Sequence, residues 1–274
     1  MLDNLELPNE TINKTYDDVA HPAASEVGKF IGRIPRAINA ALSGVDKWIL
    51  QKEYNLSETE KLLARKMENA DPKSIVSPQP YVAIPALQSI SYCFNNEELR
   101  NLYANLLANS MTSSNKDNVH PAFVEIIKQF SPHDALVLKE IHNRTSELPI
   151  PCAKLSIVLK IKGIRFAGQP IPRKIYSDVI TDLCQHHLTH KQLSVSLENL
   201  NRLGLITFSD ASLGDDSLYD FVKTSYLYGV VCSDFDSLKG TDEEPEFIDI
   251  DKSCFFLTDF GELFCDICIA DFNS

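Results

Sequence analysis

Glycine is scarce in this chain, ten residues among 274. Open α/β enzymes that cradle phosphates on glycine-rich loops use more, and neither a P-loop nor a dinucleotide fingerprint is present. No G-x-S-x-G elbow exists, so serine hydrolysis has no foothold. No apolar run approaches the ~20 residues that a membrane-spanning helix needs. The opening stretch, MLDNLELPNETINKTYDDVA, is polar and acidic. It lacks the basic-then-apolar order of a secretion signal, so a cytoplasmic protein is expected. Nothing repeats at a period of about 20–50 residues, which excludes a solenoid.

Cysteine is present without pattern. The seven residues stand at 93, 152, 184, 232, 254, 265 and 268. An odd, irregular set argues for reduced thiols rather than a disulfide framework. CDIC, Cys265 and Cys268, has the spacing of a metal or thiol-redox pair, and Cys184, His186, His187 and His190 offer further ligand types. There is no second CxxC, and Phe264, Ile267 and Ile269 surround the pair. Core packing is the reading adopted for it, with no metal and no cofactor expected.

Positive charge is also short: 26 Lys and Arg face 38 Asp and Glu, a net charge of −12. The deficit is uneven. Residues 1–150 carry a net −4, residues 151–202 a net +5, and residues 203–274 a net −13. Hydrophobic content of 44% and charged content of 23% are those of a soluble globular chain, with length for one large or two ordinary domains.

What is present reads first as helix. Residues 1–20 hold too little apolar surface to order and are expected to be a flexible tail. From His21, Val27, Phe30, Ile31 and Ile34 recur at helical spacing, then Ile38, Ala41, Leu42 and Val45, with a break expected at Pro35. Lys29, Arg33 and Arg36 lie on its polar side. They are a candidate contact with an anionic membrane surface or a partner, against the plainer reading of a solvated face. In SETEKLLARKMENA, Ser57 and Glu60 have capping-box spacing. Pro78, Pro80 and Pro85 punctuate the next stretch, and a helix is expected to start near Pro85. NNEELRNLYANLLANSM carries Leu99, Leu102, Tyr103, Leu106 and Leu107 as one stripe, capped by Asn95 or Asn96. HPAFVEIIKQF aligns Phe123, Ile126, Ile127 and Phe130 after Pro121. SPHDALVLKEI opens with Ser131 as N-cap, Pro132 first and Asp134 third.

Past ELPIPC the texture changes. Leu155, Ile157, Leu159 and Ile161 alternate with Ser156, Lys160 and Lys162, which predicts a half-buried strand. IPRKIYSDVITDLCQHHL is expected to be a helix seated on Ile175, Val179, Ile180 and Leu183. THKQLSVSLENLNRLG follows as another, with Leu193, Leu197, Leu200 and Leu203 inward and Gly204 ending it. LITFSD is a strand. An acidic insert at about 209–251 is expected to be loops with YLYGVV as a strand, and TDEEPEFIDID is read as a solvated charge run. KSCFFLT returns as a strand, and a helix capped by Thr258 closes the chain.

Helix, linker, helix, helix, strand, strand, helix is the order of a winged helix. The expected fold is mainly α with a small β component. A helical region over 21–148 precedes a winged-helix-like α+β region over 149–274, with the acidic insert inside it.

LRNLYANLLANSM, HPAFVEIIKQFSPHDALVLKEI, LENLNRLGLI and FFLTDFGELF together resemble the abortive-infection alpha family, long catalogued only as a domain of unknown function. The resemblance runs from about residue 21 to 270, and the block 95–141 is its most specific part. It implies a bacterial protein associated with phage defence, in which infected cells stop growing before phage are released. It implies no established catalytic residues.

The helix before Gly204 offers Lys191, Gln192, Ser194, Ser196, Asn199 and Arg202 outside its leucine ladder. Such side chains can hold phosphates or read bases, or meet a protein. Against DNA, Glu198 opposes Lys191 and Arg202, and the acidic 203–274 segment stands where a wing would approach the backbone. The expected function is a non-enzymatic phage-defence protein that acts on a host or phage protein, or at the membrane surface, with homo-oligomerisation as a further use of the same module. The alternatives are a winged-helix transcriptional regulator and a toxin enzyme with an unrecognised site.

Overall fold

A computed structural model describes residues 53–71, 73–90, 93, 96–144, 149–160, 171–184, 187–270 and 272. The tail, the segment from His21 and its Lys29, Arg33 and Arg36 lie outside the described residues. The chain divides into two compact units, Met1–Ala135 with Leu263–Ser274, and Leu136–Glu262. The protein is a mixed α+β structure.

The first unit is helical. Helix α1 (Glu53–Lys66) begins before Ser57, so Ser57 lies inside it rather than capping it. Helix α2 (Pro80–Ile90) starts at Pro80, not Pro85. The first helical position forgives a missing N–H, so the first proline that the helix can accept there sets its start. Helix α3 (Glu97–Ser110) is capped as expected: the Asn96 side chain accepts the Leu99 N–H at 2.8 Å, with Glu97 and Glu98 at the positive end. Its burial exceeds a stripe. Every residue from Leu102 to Ser110 is buried, because α1, α2, α4 (Ala122–Lys128) and the turn Cys265–Ile269 pack around it. Ala104 and Ala108, both fully buried, leave room for these neighbours. Phe123 meets Phe264 edge-on at 5.2 Å between ring centroids. Helix α5 (Pro132–Arg144), most of which belongs to the second unit, opens with a reciprocal cap. The Ser131 N–H donates to Asp134 Oδ2 at 2.6 Å, and the Asp134 N–H to Ser131 Oγ at 3.2 Å.

The second unit is built on a curled antiparallel sheet of four strands in the order β2-β1-β4-β3. The strands are β1 (Ile150–Leu159), β2 (Arg173–Ile180), β3 (Ile206–Ser209) and β4 (Pro245–Leu257). Strand β2 corrects the sequence reading, which placed a helix there. Ile175, Tyr176, Val179 and Ile180 are strand formers, and β1 offers them ladder partners, Ser156 opposite Ile175 and Leu155 opposite Tyr176. Tertiary pairing overrides the local helical spacing. In β1, Leu155 and Ile157 are buried as predicted, but Ser156 and Val158 on the other face are buried too.

Helix α6 (His190–Arg202) runs through Gly204, at φ +74°, into β3. That junction matches expectation. The three-helix cluster of a winged helix does not: its second helix is β2, and the antiparallel β3–β4 pair belongs to the four-stranded sheet.

The acidic insert is ordered structure rather than loops. It contains the short helix α7 (Asp220–Thr224) and then α8 (Tyr226–Leu238), which absorbs YLYGVV. Leu227, Val231, Phe235 and Leu238 recur at helical spacing and face the sheet. Together with Tyr219 and Val222 they cover the β1 face that carries Ala153, Leu155 and Ile157. EFIDID is likewise no free charge run but part of β4, where Ile248 and Ile250 join the same core. Most of the insert's acidic residues are exposed, while its apolar stripe closes the sheet. Helix α9 (Asp259–Phe264) follows, capped by Thr258, whose Oγ1 accepts the Gly261 N–H at 2.9 Å.

Candidate functional site

The residues proposed on α6 have mostly structural duties. Gln192 closes a capping box: its Oε1 accepts the Thr189 N–H at 3.0 Å, and its own N–H donates to Thr189 Oγ1 at 3.3 Å. Ser194 is buried, and so is Ser196, which corrects their placement on an outward face. The Ser194 hydroxyl accepts the Val179 N–H at 2.6 Å and donates to the Val179 carbonyl at 3.4 Å, so it caps the outer edge of β2. Asn199 Oδ1 accepts from Arg202 at 2.7 Å and 3.2 Å. Lys191 is exposed. The residue that sequence reasoning missed is Val195, 55% exposed at the middle of the helix. Lys191, Val195, Glu198 and Arg202 fall at i, i+4, i+7 and i+11 and form one outward stripe of mixed charge around an apolar centre. Val195 sits between the positions of the leucine ladder, and that gap was its only sequence signal.

Two clusters of ionisable groups lie in the second unit. Glu140 Oε2 accepts both the backbone N–H and the thiol of Cys184, at 2.9 and 2.8 Å, while its Oε1 takes Arg144 at 2.8 Å. Arg144 also reaches Asp182 at 2.8 Å. Cys184 has φ +50°, and the Glu140 bonds hold this left-handed turn in place. Burial, then the Glu140 carboxylate, push the Cys184 thiol up to about 12, so it is protonated and no nucleophile at neutral pH. In the second cluster, Asp234 of α8 accepts Lys174 at 2.7 Å and the Tyr176 hydroxyl at 2.5 Å. Those bonds lower the Asp234 pKa and pin α8 to β2.

Cys265 and Cys268 are fully buried, as the packing reading requires. Burial carries the Cys268 thiol well above its ordinary value. Among the described residues no group of three or more His, Cys, Asp or Glu side chains is placed to hold a metal. The backbone of this turn has partners that the sequence did not reveal. Asn105 Nδ2 donates to the Cys268 carbonyl at 2.8 Å, and Asn109 Nδ2 to the Ile267 carbonyl at 2.9 Å. Asn115 Nδ2 in turn donates to Asn109 Oδ1 at 2.6 Å. One helical turn apart, the two buried asparagines of ANLLAN fasten the π-helical turn Cys265–Ile269 onto α3. Carbonyls released by such a turn need donors, and buried amides supply them.

No described helix is long and apolar enough to cross a membrane. Fold and surface together define a mixed α+β protein whose ionisable clusters hold its elements in place and whose outward features are apolar and mixed-charge patches. The chain belongs to the abortive infection alpha family, whose model matches residues 51–268. No curated protein and no solved structure matches it.

Proposed function

We propose that this protein serves phage defence without catalysis, by docking a host or phage protein on the outward stripe of α6. Family membership supports the biological role, since abortive infection is the family's description. The observation that carries the mode of action is Val195. A β-branched apolar side chain 55% exposed at the centre of a helix face, ringed by Lys191, Glu198 and Arg202, is the composition of a protein contact: an apolar centre with a charged rim. DNA is a poorer fit, because Glu198 interrupts the two cations and because Gln192, Asn199 and Arg202 already serve bonds within the helix.

The test is plaque formation on bacteria that express the full chain, against a panel of phages. Val195→Asp is expected to raise plating at least about tenfold toward the level without the protein, with an unchanged thermal midpoint. Full protection by the variant overturns the docking surface. Fluorescence polarisation with random duplex DNA at low and moderate salt is expected to show no binding. Tight, salt-sensitive binding replaces this reading with a transcriptional regulator.

A further inference from the structure

Strand β2 is an outer strand, and among the described residues no strand pairs with its far edge. In an antiparallel ladder successive residues turn their N–H and C=O groups to alternate sides. The Pro172 carbonyl accepts the Leu159 N–H at 3.0 Å and so points to β1. Arg173 and Ile175 therefore point theirs outward, and Ser177, which follows the inward-pointing Tyr176, turns its N–H outward where the register with β1 becomes irregular. The outward row ends at Val179, where Ser194 takes both groups. Helix α6 thus closes one end of the edge and, among the described residues, leaves Arg173 to Ser177 without a strand partner. Ile175, at the middle of that open stretch, is 71% exposed.

We propose that this edge is a two-fold self-association site, where β2 of a second copy pairs antiparallel with Ile175 opposite Ile175. The register follows from the groups that are free. It sets the outward row of Arg173, Ile175 and Ser177 against the same row of the second copy, in reverse order, and stops before the capped Val179. The two-fold axis selects the direction: antiparallel pairing lets the same outward row serve both copies, whereas a parallel ladder needs rows offset by one residue. Arg173 and Lys174 are held within the chain by Asp249 and Asp234 and take no part in the choice. The two exposed isoleucines lie on the same face and cover one another. An exposed apolar residue on an open edge invites uncontrolled pairing, and a closed two-fold contact consumes that edge. This contact is independent of the α6 stripe.

Sedimentation velocity of the full chain over a concentration series tests it. A species of twice 30.7 kDa is expected, and Ile175→Lys is expected to return it to the single mass with an unchanged circular-dichroism spectrum. A second measurement fixes the register. Ile175→Cys should be cross-linked into dimers by a short bis-maleimide, because facing Cα atoms of such a pair lie ~5.5 Å apart. Ser177→Cys should not exceed the wild-type level set by native thiols, since its two copies are offset by about 13 Å along the strands. A single mass at every concentration, a dimer that survives Ile175→Lys, or equal cross-linking at 175 and 177 overturns the proposal.

Discussion

Asn109 shows how much one amide can carry. Its Nδ2 donates to the Ile267 carbonyl and to the Asn105 carbonyl, and its Oδ1 accepts from Asn115. It is 3% exposed, so water cannot replace any of these partners. Leucine has nearly the same shape and none of the bonds. Asn109→Leu should cost about 2–4 kcal/mol in a urea unfolding transition, since each buried group left without a partner costs about 1–3 kcal/mol. A loss below about 0.5 kcal/mol would show that the bonds are dispensable. Asparagine in a helix gives no such warning in sequence. It ranks as an indifferent helix former, and only the carbonyls of a turn far along the chain explain its position.

At the scale of elements, Gly261 decides how α9 meets the end of α6. A Cβ built there would lie 1.9 Å from the Leu205 carbonyl oxygen, a backbone atom that cannot swing aside. The close approach lets the Thr258 N–H reach the Leu205 carbonyl at 3.0 Å and its hydroxyl reach the Gly204 carbonyl at 2.6 Å. Gly261→Ala should therefore destabilise by about 2–3 kcal/mol, although alanine is the better helix former by about 1 kcal/mol. A thermal midpoint equal to or above that of the wild type would contradict this packing.

The same scale explains what the sequence made legible. Caps with local partners were readable: Asn96, the Ser131–Asp134 pair, Thr258, and Gly204 as a helix stop all depend on residues within a few positions. Elements decided by distant partners were not. Residues 173–180 have helical spacing on paper, but the ladder to β1 makes them a strand. YLYGVV looks like a strand, but the stripe from Leu227 to Leu238 needs the sheet face beneath it to declare a helix. At the candidate site, Lys191 and Arg202 were legible as surface cations. Val195 was not, because exposure of an apolar residue depends on what the rest of the fold leaves uncovered.

For the whole molecule, the thiols set a direction for the response to pH. Burial raises Cys184 to about 12 and Cys152 to about 11, and raises Cys268 well above the ordinary 9.0. Burial also raises Tyr176 to about 12, with the Asp234 bond adding to it. All four favour the protonated form in the folded chain. Their contribution is complete below the unfolded thiol value and is lost as pH rises from about 9 through these folded values. The urea midpoint should hold between neutral pH and about pH 9 and fall steadily above it. A flat profile into that alkaline window would mean that these thiols ionise as easily folded as unfolded.

The asparagine contacts also impose an order on synthesis. The acceptors of Asn105 and Asn109 are 163 and 158 residues further along the chain. At translation rates of ~5–20 residues per second, α3 leaves the ribosome roughly 8–30 s before the carbonyls it must hold. The whole of Leu136–Glu262 emerges in that interval. The unit that is begun first is completed last, and a nascent chain must keep the apolar side chains around Tyr103 and Phe123 from other partners until its final turn arrives.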